Sequence, residues 1–382
     1  MDLELYSDIS PLTGDEARKG VKLLQSNPLY IQNLLAILLD NKKPDYKEKV
    51  MRQTKEIIEV LNKVNNYDDF QKYITSGFFI PAMLDRSVTD LSFSGLENLS
   101  DNDAYLFFSN HRDIVLDCAL LDYALLKNNK QLCEMAFGDN LMSSKAAETL
   151  FRLNGGIVVK RTLPLREKYK ESIRLSKYFC ETILDRNKSI WVAQKSGRAK
   201  DGIDLTSPAI IKMLYLSMKK SNYTFSDLIN KCRITPVAVS YEYDPCDINK
   251  SREEVTKILN EGNYNKKKYE DLISLVKGLR QFKGRIHIHV GKPLVDKEYE
   301  THEEVAREID RQIHLNYKLW PTNLFAYDYL ENTSRFKDGY SEFDTEKFLS
   351  RFSHLSEDVK KYVLNAYANP VRSYISEIEN EN

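Results

Sequence analysis

The residues best suited to chemistry lie together near the start of the middle third of the chain, in Asn110-His111-Arg112-Asp113 and at Asp117. An apolar run precedes this cluster and a helical pattern follows it. A histidine with an ordinary pKa of about 6.5 accepts a proton near neutral pH, so His111 could act as a general base. Either Asp113 or Asp117 could bind its other ring nitrogen and fix the tautomer. The cluster therefore predicts general-base chemistry.

The triplet His111-Arg112-Asp113 also matches part of a protein kinase catalytic loop. That loop requires an asparagine five positions after its aspartate, and Cys118 stands at that position. No glycine-rich loop lies upstream and no Asp-Phe-Gly lies downstream. We therefore exclude a kinase.

Three further segments carry polar or unusual residues at the ends or beginnings of apolar runs. Gly156 to Arg161 follows a second glycine and ends in two cations, Lys160 and Arg161, which could hold a phosphate. Its glycines would permit close backbone approach. Ser196-Gly197-Arg198 follows an apolar run, and Pro236 lies in Ile234–Tyr241, where a missing N–H suits a strand beginning or an edge.

In this order, the four segments resemble the motifs of the glycerolipid acyltransferase superfamily, over roughly Leu91 to Leu294. Asn110-His111 matches the opening of the first motif, Asn-His-x4-Asp. Asp117 lies one position beyond the place where the motif most often has its aspartate. Looser members of the superfamily, with five residues between the histidine and the aspartate, have it at this place. The third motif, Glu-Gly-x-Arg, differs because Ser196 replaces the glutamate and Arg198 directly follows the glycine. If that carboxylate orders the acceptor pocket, its loss puts the acceptor in question.

The resemblance implies an acyltransferase of phospholipid synthesis. His111 would deprotonate the hydroxyl of glycerol 3-phosphate or 1-acylglycerol 3-phosphate, with Asp117, or Asp113 failing that, orienting it. The donor would be a thioester, acyl-CoA or acyl carrier protein, and neither a cofactor nor a metal would be needed. The residues expected to bind substrate are Asn110, Arg112, Lys160, Arg161, Ser196, Gly197 and Arg198. Backbone N–H groups near the start of the helix after Asp113 could stabilise the oxyanion, but the sequence leaves this open.

Two other functions stay open. The changed third motif is compatible with an N- or O-acyltransferase of an aminolipid pathway. A lipid-binding or carrier-binding protein that has lost its chemistry would keep the groove without needing His111. The presence of both His111 and Asp117 favours the enzyme.

The elements that must position these residues are predicted from periodicity. The predicted strands are Leu91–Gly95, Ala104–Ser109, Leu132–Ala136, Gly156–Lys160, Ser189–Gln194, Ile234–Tyr241 and Arg285–Val290. The predicted helices are Gly14–Gln25, Leu29–Leu39, Tyr46–Val64, Tyr67–Ser87, Asp113–Lys127, Leu165–Asp185, Ser207–Lys219, Glu304–Tyr317, Thr345–Phe352 and Glu357–Glu379. Because strands and helices alternate, we expect an α/β fold with a mixed, largely parallel sheet flanked by helices.

Three regions are expected along the chain: an N-terminal helical region at 1–88, an α/β acyltransferase domain at 89–300 and a C-terminal helical extension at 301–382. The N-terminal helices could cap the acyl groove or contact membrane, but their periodicity is equally that of ordinary core helices.

Composition limits the partners and the compartment. Fifty-six basic residues balance fifty-six acidic ones, which argues against nucleic acid as a partner. Five cysteines without a Cys-x-x-Cys pair are typical of a reducing compartment, and the start of the chain lacks the pattern of a secretory signal. No segment reaches the roughly 18 apolar residues of a membrane span. We expect a cytoplasmic protein that binds peripherally at the inner membrane surface.

The remaining histidines and one basic run are weaker candidates. His287 and His289 alternate on a strand without a third ligand, so a metal pair is disfavoured. The others, His302, His314 and His354, are expected to be solvated. The run Asn265–Tyr269 is most often a solvated face, but it could bind an acidic carrier protein or anionic lipid.

Overall fold

The structure, a computed structural model, describes residues 1–381 and contains one seven-stranded sheet. Its strands are β1 (Val88–Ser94), β2 (Leu106–Ser109), β3 (Cys133–Gly138), β4 (Gly156–Val159), β5 (Ser189–Ala193), β6 (Ile234–Tyr241) and β7 (Gly284–Val290). Their order is β1-β7-β6-β2-β5-β3-β4. Strands β2 to β6 are mutually parallel, whereas β7 runs antiparallel to β6 and parallel to β1. The predicted mixed, largely parallel sheet is confirmed.

Helices precede, separate and follow the strands. Before β1 lie α1 (Gly14–Gln25), α2 (Pro28–Leu38), α3 (Tyr46–Val60), α4 (Tyr67–Phe70) and α5 (Ile80–Ser87). Between β2 and β7 lie α6 (Leu116–Lys127), α7 (Lys145–Leu153), α8 (Leu165–Arg186), α9 (Pro208–Ser217), α10 (Phe225–Cys232), α11 (Asp247–Leu259) and α12 (Glu270–Arg280). After β7 lie α13 (His302–Asn316), α14 (Pro321–Glu331), α15 (Thr345–Ser350) and α16 (Glu357–Glu381).

The central strands are buried on both faces, which explains their nearly continuous apolar sequences. Every residue of β2 and β6 is buried. The N-terminal helices and α6 pack on one face of the sheet, whereas α8, α9 and α13 pack on the other. Because α13 buries Val305, Ile309 and Ile313 in the core of the sheet, the C-terminal part of the chain is joined to the α/β region. The three-region division stays a prediction.

Two predictions about helices and histidines need correction. Tyr67–Ser87 was expected to form one α-helix, but Gln71–Phe79 is a π-helix between α4 and α5. This π-helix ends just before Pro81, which has no N–H to donate to the carbonyl of the preceding turn. His314 was expected to be solvated, but it is buried between the Glu377 carboxylate and the backbone carbonyl of Asp204. A helical pattern alone does not show what packs on its polar face.

The parallel strands end at one edge of the sheet. The carboxyl ends of β2, β3, β4, β5 and β6 therefore bring Asn110, Gly138, Lys160, Gln194 and Glu242 to the same side of the molecule. In open α/β sheets this edge is where ligands bind. In the part of the chain that the structure describes, no helix combines the length and apolarity needed to cross a bilayer.

Candidate active site

His111 and Asp117 form a hydrogen-bonded pair at the junction between β2 and α6. The Nδ1 atom of His111 lies 2.9 Å from Oδ2 of Asp117. A carboxylate at Nδ1 favours the tautomer with a proton on Nδ1, which leaves Nε2 as an acceptor. Within residues 1–381, Nε2 has no hydrogen-bond partner, and the His111 side chain lines a cavity. The pair can therefore accept a proton from a ligand in that cavity.

Asp117 is held rigidly by a set of donors on both carboxylate oxygens. Besides His111, Oδ2 accepts the backbone N–H groups of Arg112 at 2.7 Å and Asp113 at 2.9 Å. Oδ1 accepts the hydroxyl of Tyr241 at 2.8 Å. Burial, and then the charge of Asp117, raises the pKa of Tyr241 well above its usual value, so Tyr241 stays a donor. Asp117 is thus a buried, fully hydrogen-bonded carboxylate that fixes the orientation of His111.

Asp113, the alternative partner of His111, binds backbone N–H groups of its own segment instead. Its Oδ1 accepts the backbone N–H groups of Val115 and Leu116, both at 3.0 Å, at the start of α6. This caps the helix, and it explains why α6 begins at Leu116 and not at Asp113 as predicted. These backbone bonds also occupy several of the N–H groups that were candidates for oxyanion stabilisation.

A cavity of about 130 Å³ lies in front of His111. Trp191 forms part of its wall, with its ring 5.8 Å from that of His111, centre to centre, in an edge-to-face arrangement. Charged side chains from five different segments complete the lining: Arg161, Arg198, Lys200, Glu253, Lys266 and Asp271. A polar ligand with an anionic group fits this lining better than a purely apolar one.

The two cations of the predicted pair at the end of β4 point to different places. Arg161 lines the cavity and packs against Gly138, where a Cβ atom would lie only 2.7 Å from Nε of Arg161. Lys160 forms ion pairs with Asp8 and Glu171 outside the cavity lining. Only Arg161 is therefore brought to His111.

Among the described residues, Arg198 is the cavity cation that has a buried, unpartnered guanidinium nitrogen. Its Nη1 atom is buried and has no hydrogen-bond partner within residues 1–381. It lies two residues after the exposed Ser196, on a loop that is joined to His111 by the hydrogen bond from Ala199 N to the His111 carbonyl, 2.8 Å long. Gly197 lines the cavity next to it. A half-buried guanidinium with one buried, unpartnered nitrogen is suited to an anionic ligand.

Asn110 and Arg112, both predicted to bind substrate, lie beneath the cavity and not in its lining. The side chain of Asn110 bonds both the N–H and the carbonyl of Val239 on β6. Arg112 is buried, with Nη2 2.5 Å from Oδ2 of Asp204 and Nη1 3.4 Å from Oδ2 of Asp244. Their contacts join the segment that carries His111 to β6 and to the loops around it.

The glycines that precede Arg161 contact protein atoms and not the cavity. A Cβ atom on Gly156 would lie 2.4 Å from the carbonyl oxygen of Phe151, and one on Gly155 would lie 2.7 Å from Nε2 of Gln71. Gly155 also has a φ of +73°, which other residues rarely adopt. These glycines therefore serve packing within the fold.

Two cavity residues from the segment between β6 and β7, Glu253 and Asp271, were not predicted. Asp271 accepts a hydrogen bond from Nδ2 of Asn140 at 2.8 Å and pairs with Lys266. Oε1 of Glu253 lies 2.5 Å from Nζ of Lys200. Burial of the Lys200 side chain lowers its pKa. Nothing in the local sequence marked Glu253 in α11 or Asp271 in α12, whereas Lys266 belongs to the basic run Asn265–Tyr269.

Metal ligation finds little support in the side chains. In residues 1–381 there is no group of three His, Cys, Asp or Glu side chains arranged to hold a metal ion. His287 and His289 are bridged by Ser94, whose Oγ lies 2.8 Å from a ring nitrogen of each. Burial lowers the pKa of His287 to about 4 and also lowers that of His289.

Comparisons with known proteins give one family match and one similar solved structure. Residues 90–240 match the family model described as Acyltransferase. No curated protein shows significant similarity to the chain. Among solved structures, the crystal structure of the 1-acyl-sn-glycerophosphate (LPA) acyltransferase PlsC from Thermotoga maritima is similar, with 13% sequence identity over 78% of this chain and 94% of that chain and a TM-score of 0.39. The family match includes His111, Asp117, Arg161 and Arg198 and ends just before Tyr241.

Proposed function

Because residues 90–240 match the family model described as Acyltransferase, we propose that this chain transfers a fatty acyl group to the hydroxyl of a phosphate-bearing glycerol acceptor. The acceptor would be glycerol 3-phosphate or 1-acylglycerol 3-phosphate, and the donor an acyl thioester. The observation that carries this proposal is the pair of His111 and Asp117, whose free Nε2 belongs to a side chain that lines a cavity.

The reaction would begin with proton transfer to His111. Nε2 takes the proton of the acceptor hydroxyl, and the oxygen attacks the thioester carbonyl carbon. The resulting tetrahedral oxyanion collapses by breaking the carbon–sulfur bond, and the leaving thiolate recovers the proton from Nε2. Asp117 stabilises the imidazolium between these steps, because its carboxylate is already oriented towards Nδ1.

The phosphate of the acceptor would bind to Arg161 and Arg198. Both guanidinium groups line the cavity with His111, and Nη1 of Arg198 lacks a protein partner among the described residues. Arginine engages phosphate through two parallel hydrogen bonds, which fixes the position of the acceptor hydroxyl as well as its charge. Lys200 adds positive charge but is already paired with Glu253.

A second acceptor class is supported by the carboxylates of the cavity. Glu253 and Asp271 line it together with the cations, so an acceptor with both an anionic and a cationic group would also be complementary. No carboxylate is present at Ser196, where the superfamily has a glutamate. An aminolipid precursor is therefore the alternative acceptor.

The test is thiol release from palmitoyl-CoA and from palmitoyl carrier protein, with glycerol 3-phosphate, lysophosphatidate and glycine as acceptors. The acylated product is identified by mass spectrometry. For His111→Ala we expect a loss of about 10²- to 10⁴-fold in kcat, the usual contribution of a general base. The matched control is His302→Ala, which removes a histidine that does not line the cavity. This variant should retain activity. A folded protein that binds acyl chains but transfers them to none of these acceptors would contradict the proposal and favour a silent binder.

The acceptor site is tested with the same assay. We expect Arg198→Lys to raise KM for the phosphate acceptor by about tenfold, because lysine cannot form the two parallel bonds. Lys160→Ala should leave KM unchanged, since Lys160 pairs with Asp8 and Glu171 outside the cavity lining. If glycine is the acceptor that is used, the aminolipid alternative replaces the phosphate acceptor.

A further inference from the structure

The segment between β6 and β7 carries an exposed surface that the proposed reaction does not use. This segment contains α11, the connection 260–269 and α12. Large apolar side chains on it face solvent: Ile258 and Leu259 are 67% and 70% exposed, and Tyr269 and Leu272 are 57% and 41% exposed. Isolated exposed apolar residues are ordinary, but four within fifteen positions of one segment indicate a binding surface.

Positive charge accompanies these apolar side chains. Lys267 and Lys268 are exposed and form no ion pair with any of residues 1–381. The neighbouring Lys266, in contrast, pairs with Asp271. Since the whole chain has a formal net charge of zero, these two lysines are a local feature and not part of a general positive field. We call Ile258, Leu259, Lys267, Lys268, Tyr269 and Leu272 the docking surface.

The docking surface borders the candidate active site. Asp271, next to Leu272, lines the cavity and binds Nδ2 of Asn140. Lys266, next to Lys267, lines the same cavity. A second depression between α11 and α12, lined by Ile273 and Tyr264, shares Arg198 and Glu253 with that cavity. A partner that binds the docking surface would therefore lie at the entrance to the site.

We propose that the docking surface binds an anionic lipid bilayer and places the cavity entrance against it. Aliphatic and aromatic side chains can enter the headgroup region, while lysines beside them interact with anionic lipids. This inference rests on the proposed function, because a membrane-held acceptor would then reach His111 directly. An acidic carrier protein could also bind Lys267 and Lys268, but it would leave the exposed Ile258 and Leu259 unexplained.

The experiment measures sedimentation of the full-length protein with vesicles of phosphatidylcholine alone and of phosphatidylcholine with phosphatidylglycerol. We expect binding only when phosphatidylglycerol is present. The double variants Lys267→Glu/Lys268→Glu and Ile258→Ser/Leu259→Ser should each weaken it by about tenfold or more. The control Lys219→Glu/Lys220→Glu, which reverses an exposed lysine pair after α9, should bind as the unmodified protein does.

Transfer to a short-chain acceptor dissolved without vesicles distinguishes docking from catalysis. We expect both docking variants to keep this activity, since neither changes a cavity residue. Vesicle binding that is equal in all variants would overturn the proposal, whether or not transfer is detected. Unchanged vesicle binding together with a raised KM for acyl carrier protein in Lys267→Glu/Lys268→Glu would assign the lysines to the carrier protein. Vesicle binding by the docking surface without any transfer would refute only the proposed function.

Discussion

At the scale of single residues, Asp113 and Asp117 are four positions apart yet hold different groups. Asp117 binds Nδ1 of His111, whereas Asp113 caps α6. We expect Asp117→Asn to lower kcat by about 10²- to 10⁴-fold, because an amide favours the wrong tautomer of His111 and does not stabilise its cation. Asp113→Asn should keep most of the activity, because an amide oxygen can still accept from Val115 and Leu116. Steady-state kinetics with thermal unfolding as a check on folding would measure both.

An equal loss in the two variants, with both proteins folded, would contradict this division of roles. It would show that Asp113 also acts on the reaction, through the electrostatic field at His111 or through a different arrangement of the cluster when substrate is bound. A loss confined to Asp113→Asn would make Asp113 the positioning residue.

The sequence predicted the local part of this site well and the distant part poorly. His111 and Asp117 lie between the end of β2 and the first turn of α6, so the spacing left Asp113 and Asp117 as the possible partners of His111, and the family resemblance favoured Asp117. Lys160 and Arg161 were expected to act together, but successive residues of an extended chain point in opposite directions, and only Arg161 lines the cavity. Tyr241 could have been predicted from its position at the end of a strand parallel to β2. Asp271 could not, because no local pattern reports which segments cross the sheet edge.

At the scale of secondary-structure elements, the strands were predicted more reliably than the helices. All seven predicted strands overlap observed ones, because β-branched and apolar runs between turn residues are a local signal. No helix range was predicted for α7, α10, α11, α12 or α14. None of them is longer than 13 residues, so each gives only a short periodic signal, and its stability comes from packing that a single sequence does not show.

Asp122 on α6 links helix packing to pH. It is buried and accepts the N–H of Cys133 at 2.9 Å, and burial raises its pKa from 3.8 to about 7. Between these two values the folded chain keeps a proton that the unfolded chain has lost, so stability falls as the pH rises through this window. We expect Asp122→Asn to stabilise the protein by about 1–3 kcal/mol more at pH 8 than at pH 5, because most of the interval between the two pKa values lies above pH 5.

Urea unfolding of Asp122→Asn and the unmodified protein at both pH values measures this difference. The comparison between the two proteins removes the contribution of other groups that titrate in the same range, such as Asp310, whose pKa burial raises to about 6. A difference in the free energy of unfolding that is the same at pH 5 and pH 8 would show that Asp122 keeps its ordinary pKa.

At the scale of the whole molecule, the C-terminal helices support the loop that carries Arg198. Nδ2 of Asn369 on α16 donates to the carbonyl of Asp201 at 2.7 Å. His314 on α13 bonds the carbonyl of Asp204, whose side chain in turn pairs with Arg112. Helices α13 and α16 are therefore connected to the cavity through the loop that carries Arg198. We therefore expect the contacts of this loop with α13 and α16 to matter for acceptor binding.

Gly202 tests this connection, since a Cβ atom there would lie 2.0 Å from the carbonyl oxygen of Ala366 on α16. We expect Gly202→Ala to separate the loop from α16, to lower the melting temperature and to raise KM for the acceptor more than it lowers kcat. Gly262→Ala is the matched control: its φ of +89° is similarly strained, but nothing lies within 4 Å. It should cost only about 1 kcal/mol of strain and leave KM unchanged. Equal effects of the two substitutions would mean that backbone strain alone matters, and that α16 does not hold the loop of Arg198 in place.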